Sequence, residues 1–239
     1  LLGVLLAAGC AYFNTLYNAK QRFNEASNQP LDREGDVSRS AVTMYQEVIK
    51  KCHKMIRTWP DSRHVDNARL LIVRSYFGAQ DYESAIAAAD TLIELQPDTD
   101  LMDQALALKG VALARHGDHK QAVEVLTDRY ERYGPTAEVL SSLCTSLMSL
   151  DRSDDAVRYL AILEEKYPNE SATFDTEVAI AEILAEKEQY EASRGVYERL
   201  TADRIPETFR YRVWTGFARV DIALEPVSYT HLRAHETVL

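Results

Sequence analysis

Apolar and polar positions alternate along this chain with a period of three to four residues, the spacing that gives a helix one buried stripe. From Ala11 to Ser27 the stripe is Phe13, Leu16, Tyr17, Ala19, Phe23 and Ala26, which predicts an amphipathic helix. Residues 28–38 (NQPLDREGDVS) break the pattern with Pro, Gly and mixed charge, so they read as a linker or exposed loop. Ala41, Tyr45 and Val48 then predict an elongated helix that stops at Pro60.

Past that point the stripes repeat. Ala85, Ala122, Ala156 and Ser193 stand 37, 34 and 37 residues apart. Nine residues before each is a large apolar residue: Tyr76, Leu113, Leu147 and Leu184. Twelve before stand Val73, Gly110, Cys144 and Ala181, mostly small. Four after come Ala89, Leu126, Leu160 and Tyr197, and seven after come Leu92, Arg129, Leu163 and Leu200. Pro97, Pro135, Pro168 and Pro206 close the units. Each unit is predicted as two amphipathic helices joined by a short turn (AQDY, HGDH, LDRS, KEQY) and ended by Pro, which cannot continue a helix interior. Small residues at fixed places let paired helices approach closely, and large ones fill the gaps. No unit can bury its stripe alone, so neighbours must stack.

These units resemble the tetratricopeptide repeat, whose small–aromatic–small–Pro pattern has a period of about 34 residues. The resemblance runs from about Arg63 to Pro206 and implies an all-α fold, a right-handed α-solenoid of stacked helical hairpins. Arg129 in a usually small core position, Ser193 in place of Ala and the two 37-residue spacings depart from the pattern. Downstream, YRVWTGFARVDIAL supplies a further first helix with Trp214, Gly216 and Phe217, whose partner helix is expected to begin near Ser228.

The two ends have a different texture. The opening LLGVLLAAGC is too short to cross a bilayer, which takes about 20 apolar residues, and suits the apolar part of a secretory signal peptide. Ala7, Ala8 and Gly9 running into Cys10 resemble the bacterial lipobox, with Ala7 where Leu is commoner. That resemblance implies cleavage before Cys10 and acylation of its thiol, and the missing Met implies truncation at the front. After Pro226 the string VSYTHLRAHETVL resembles translated sequencing-adaptor DNA, and the natural chain is expected to have continued differently. His231 and His235 would share a helical face as metal ligands can, but no third ligand is evident. The chain is thus expected to divide into a signal-peptide remnant (1–9), a lipidated N-terminus with helix and linker (10–40), the repeat array (41–226) and a non-native tail (227–239).

Composition narrows the function. Lys and Arg number 27 against 37 Asp and Glu, a net charge of −10, and neither a basic block nor the Lys/Arg stripe that a nucleic-acid binder needs is expected. Three distant Cys make neither a disulfide framework nor a CxxC pair. Phosphate-binding Gly loops, GxSxG and HExxH are all absent, and His116 and His119 fall in a turn. Cys144 takes a small core position. Cys52, between Lys51 and His53, invites a lowered thiol pKa. No catalytic constellation, metal site or cofactor is expected.

The concave face of such an array is lined by first helices. Family positions facing it fall on Asn67, Leu70, Arg74 and Phe77, then on Gln104, Ala107, Val111 and Arg115, and later on Glu138, Ser141, Thr145, Val178 and Glu182. The Lys and Asn with which the chaperone-binding subclass clamps a C-terminal carboxylate are missing from these positions. More narrowly, the stretch 59–99 is similar to bacterial envelope lipoproteins, above all the BamD family of outer-membrane β-barrel assembly lipoproteins, through Pro60-Asp61-Ser62, Ala68, Tyr76 and Asp81-Tyr82. That similarity implies a non-enzymatic scaffold, lipid-anchored at Cys10 on the periplasmic face of the outer membrane, that binds other envelope proteins during outer-membrane protein assembly. An adaptor for secretion, motility or cell-wall synthesis is the alternative.

Overall fold

The computed structural model describes residues 2–32, 36–96, 99–202 and 205–224, and within them the chain forms eleven α-helices and no strand. They fall into two compact units, Leu1–Pro135 and Thr136–Leu239. The first holds α1 (Leu2–Ser27), α2 (Arg39–Thr58), α3 (Val65–Gly78), α4 (Tyr82–Leu95), α5 (Met102–His116) and α6 (His119–Tyr133). The second holds α7 (Ala137–Ser149), α8 (Ser153–Lys166), α9 (Ser171–Glu186), α10 (Tyr190–Ala202) and α11 (Glu207–Leu224). Pro97, Pro226, the partner helix expected near Ser228 and the tail with His231 and His235 lie outside the described residues. So do the side chains of Cys10 and Phe13.

The repeat register carries through to burial. Ala85, Ala122, Ala156 and Ser193 are each at most 1% exposed, and the positions twelve before them, Val73, Gly110, Cys144 and Ala181, are buried as well. At Gly110 a β-carbon would come within 2.4 Å of the Leu126 side chain, so the close approach of α5 and α6 requires glycine there. Hydrogen bonds tie the small positions together across two hairpins. The Cys144 thiol reaches the Ala156 carbonyl at 3.6 Å, and the Ser193 hydroxyl donates to the Ala181 carbonyl at 2.7 Å. Ser193 therefore sits in an alanine slot with its one polar group satisfied.

Arg129 has an equally specific explanation. Its Nε donates to Asp103 Oδ1 at 2.7 Å and its Nη1 to the Gly134 carbonyl at 2.6 Å. A guanidinium thus replaces the leucine found at the matching positions Leu92, Leu163 and Leu200.

The turn inside each hairpin is the same object four times. Gln80 (φ 60°), Gly117 (φ 97°), Asp151 (φ 61°) and Glu188 (φ 60°) stand five residues before the aligned small positions, all in the left-handed region. The next amide donates back to the carbonyl of the large apolar residue: Asp81 to Tyr76 (3.0 Å), Asp118 to Leu113 (2.9 Å), Arg152 to Leu147 (2.9 Å) and Gln189 to Leu184 (2.8 Å). This is the Schellman closure of a helix C-terminus. Three of the four turns achieve it without glycine.

The two 37-residue spacings are reached in different ways. Between Ala85 and Ala122 both the α4–α5 connection and the first helix are longer, α5 having 15 residues against 13 in α7, whereas between Ala156 and Ser193 the growth falls mainly in the first helix, 16 residues in α9.

Helix α1 departs from its predicted stripe. Leu16, Ala19 and Ala26 are buried and Phe23 packs beside them, but Tyr17 is 52% exposed. The buried set follows i, i+3, i+7 and i+10, which turns Tyr17 outward. The helix lies antiparallel to α2: Leu16 and Ala19 share a core with Val48, Ile49, Cys52 and Met55, while Ser27 reaches the Tyr45 hydroxyl at 3.2 Å. Ala41, Tyr45 and Val48, the stripe predicted for α2, are all buried. The described residues 28–32 and 36–38 lie between them outside any helix, and Ser38 caps α2 by accepting from the Ala41 amide at 3.2 Å.

Candidate functional site

First helices α1, α3 and α5 enclose a surface cavity of ≈ 310 Å³ in the first unit. Four of the eight groove residues read from sequence in this unit line it, Asn67, Leu70, Arg74 and Gln104, and Ala107 does not. Leu70 is the floor, 5% exposed and packed on Leu92 and Ala105. Arg74 on α3 donates through Nη2 to Gln104 Oε1 on α5 at 2.6 Å, a bond that spans the groove and fixes the guanidinium over it. Asn67 is held at the start of α3, where its amide and side chain both donate to Asp66 Oδ1 (2.7 and 3.1 Å). The other carboxylate oxygen of Asp66 accepts from Thr99 at 2.9 Å.

Three other groove residues lie elsewhere. Phe77 packs edge-on against Tyr82, ring centroids 5.6 Å apart, at the end of α3. Val111 is 3% exposed. Arg115 is exposed on the last turn of α5, where a cation suits the helix C-terminus.

The remaining wall comes from α1, which sequence reasoning had set apart behind the linker. Lys20, Phe23 and Asn24 face the cavity with i, i+3, i+4 spacing. A Lys and an Asn therefore do reach this groove, from a helix outside the repeat pattern. No local signal marks them as groove residues, because their spacing beside the buried Ala19 and Ala26 fits any outward face of α1. None of the nine lining residues is acidic, although the whole chain carries −10. The arrangement can hold apolar side chains on Phe23, Leu70 and Leu71 and a carboxylate between Lys20 and Arg74.

In the second unit two of the predicted groove residues, Ser141 and Glu182, are bonded to side chains outside the predicted set. The Thr176 hydroxyl donates to Ser141 at 2.7 Å, and Val178 is buried. Arg212, reaching from α11, donates to Glu182 Oε1 at 2.8 Å and to Asp175 Oδ1 at 3.2 Å. These carboxylates push its guanidinium pKa up, the Glu182 hydrogen bond most.

Both described thiols are unsuited to nucleophilic chemistry. Burial pushes Cys52 and Cys144 up to about 12, against an ordinary 9.0. For Cys52 this reverses the lowered pKa suggested by Lys51 and His53, because desolvation of the thiolate outweighs the attraction of Lys51. His116 and His119 flank Gly117 in the α5–α6 turn, and among the described residues no three metal-ligating side chains converge.

Comparison with known proteins gives this geometry a family. A family model described as "Outer membrane lipoprotein" (YfiO) matches residues 35–199, more than half of the chain. No curated protein matches the sequence significantly. Among solved structures, a thermophilic TPR protein of Thermus thermophilus is similar, with a TM-score of 0.53 and 16% identity over 87% of this chain and 99% of that one. A Podosopora anserina protein with nearly identical TPR-like repeats, related to kinesin light chain, gives 0.56 and 11% over 79% and 92%. At these identities the two structures establish the tetratricopeptide-type helical fold and nothing further. The chain belongs to the YfiO family of outer membrane lipoproteins.

Proposed function

From that membership we propose that the protein is a non-enzymatic scaffold of the bacterial cell envelope. Acylated at Cys10 and held on the periplasmic face of the outer membrane, it captures a segment of another envelope protein and serves outer-membrane protein assembly. The observation that carries the reading is the α1–α3–α5 groove: an apolar floor, two cations and three side-chain amides, with no acidic residue in the lining. Such a surface suits an extended or helical segment that offers apolar anchors and a carboxylate, with a polar rim to fix its register. Phe77 and Arg115 extend the same first-helix face beyond the cavity, whereas Val111 is buried and offers no surface.

Two measurements test this. Metabolic labelling with a clickable fatty acid marks the full-length protein and is lost in Cys10→Ala; equal labelling of both rejects the anchor. A photo-crosslinking residue at Asn24 captures an envelope protein in cells, and Lys20→Glu with Arg74→Glu abolishes the capture. Capture that survives both charge reversals rejects the groove as the binding site.

A further inference from the structure

The C-terminal half of α2 carries Lys50, Lys51, Lys54 and Arg57, with no acidic residue between Glu47 and Asp61. Lys50, Lys54 and Arg57 are exposed and Lys51 is half-buried, in a chain whose net charge is −10. Glu47, one turn before Lys51, is already engaged, since Arg22 holds it and Glu25 at 2.8 Å each. Lys51 and Lys54 also line a surface pocket of ≈ 370 Å³ between α1 and α2, together with Thr15, Asn18 and Gln21. Glu25, the acid bound by Arg22, is the sole carboxylate in that lining.

The pairing of α1 with α2 gives this patch an address. The two helices are antiparallel, with Leu16 level with Ile49, Cys52 and Met55. Cys10 precedes Leu16 by about 9 Å of helix. The Cys10 end of α1 and the Arg57 end of α2 therefore emerge at one pole of the first unit. A diacylglycerol on Cys10 would bring that pole, with its four cations, to the headgroup layer.

We propose that the C-terminal half of α2 binds anionic phospholipid headgroups through Lys51, Lys54 and Arg57, with Lys51 and Lys54 seating a phosphate in the α1–α2 pocket. The lipid anchor would then be the first of two membrane attachments, and the second would fix the orientation of the first unit against the bilayer. Stable anchoring commonly combines an acyl signal with a basic surface. Each basic side chain near an anionic surface raises partitioning about fivefold.

The test uses the full chain with Cys10→Ser, so that acylation plays no part in the readout. Co-sedimentation compares phosphatidylcholine vesicles with vesicles in which about one-third of the lipid is phosphatidylglycerol. The expected result is binding to the anionic vesicles alone, weakening as salt is added. Lys51→Gln, Lys54→Gln and Arg57→Gln together lower it by a factor on the order of 100. Lys51→Arg with Lys54→Arg retains it, and so does Arg158→Gln on the second unit, which separates lost charge from lost folding. Equal binding to neutral vesicles, no binding to either, or no loss in the triple Gln variant overturns the proposal. Displacement by inorganic phosphate at constant ionic strength makes this a free-anion site and overturns the membrane assignment. Photo-capture at Asn24 is unaffected in the triple variant, so failure here and failure of the groove reading are distinguishable.

Discussion

Arg129 and Asp103 meet at 2.6 Å between α6 and α5, with the arginine side chain 4% exposed and the aspartate 38%. The guanidinium occupies a core position that other hairpins fill with leucine, and it is tolerated because a carboxylate and a carbonyl satisfy it. Breaking a buried pair from one side leaves a charge in the core, whereas replacing it by a well-packed apolar group removes the problem. Asp103→Ala is expected to cost about 2–4 kcal/mol in urea unfolding. Arg129→Leu should stay within about 1 kcal/mol of the parent. Equal losses in the two variants would mean that the intact ion pair is itself stabilising, beyond the cost of leaving one charge unpaired.

Two glycines should respond with opposite signs. Gly110→Val drives a side chain into Leu126 and should destabilise by about 1–3 kcal/mol through overpacking. Gly195 lies within α10 with nothing inside 4 Å of the place a β-carbon would take. There Gly195→Ala adds helix propensity without a clash and should stabilise by about 0.5–1 kcal/mol. Thermal unfolding of the two variants side by side checks the pair, and a loss at Gly195 would contradict the open space beside α10.

The buried thiols give a pH prediction. Burial raises Cys52 and Cys144 to about 12 in the folded chain, against 9.0 ordinarily. As pH rises past 9, the unfolded chain loses these protons first, so stability contributed by the neutral thiols is present below pH 9 and declines between 9 and 12. In a Cys10→Ser background, a thiol reagent at pH 8 should leave the native protein unlabelled and modify both cysteines once urea unfolds it. Rapid labelling of Cys52 in the native state would restore the reactive reading of that residue.

The repeat was legible because it is written in residue size. Ala85, Ala122, Ala156 and Ser193 announced the helix contacts, and Tyr76, Leu113, Leu147 and Leu184 announced the turns that follow them. The groove was legible by half. Asn67, Leu70, Arg74 and Gln104 obey the same period, so the register located them. Lys20, Phe23 and Asn24 belong to a helix separated from the array by the 28–38 loop, and nothing local in α1 states that it docks beside α3. That docking is decided by Leu16, Ala19 and Ala26 meeting the long face of α2, a tertiary preference without a sequence period of its own. Cys52 shows the same limit of local reading: its neighbours in sequence are cations, but its neighbours in space are Leu16, Val48 and Met55.

The left-handed residue at one fixed place in each of four hairpins also bears on how the chain is assembled in time. Each such turn lets two helices meet after closing only a short loop, and the helices of each unit pack on near neighbours in sequence. Loop closure is then entropically cheap at every step, and folding can nucleate at any hairpin and spread to the next. A chain emerging from a narrow channel with its N-terminus first need not wait for its C-terminus. The α1–α2 pair can form as soon as about sixty residues are free, and within each unit every later hairpin finds a finished surface on which to condense.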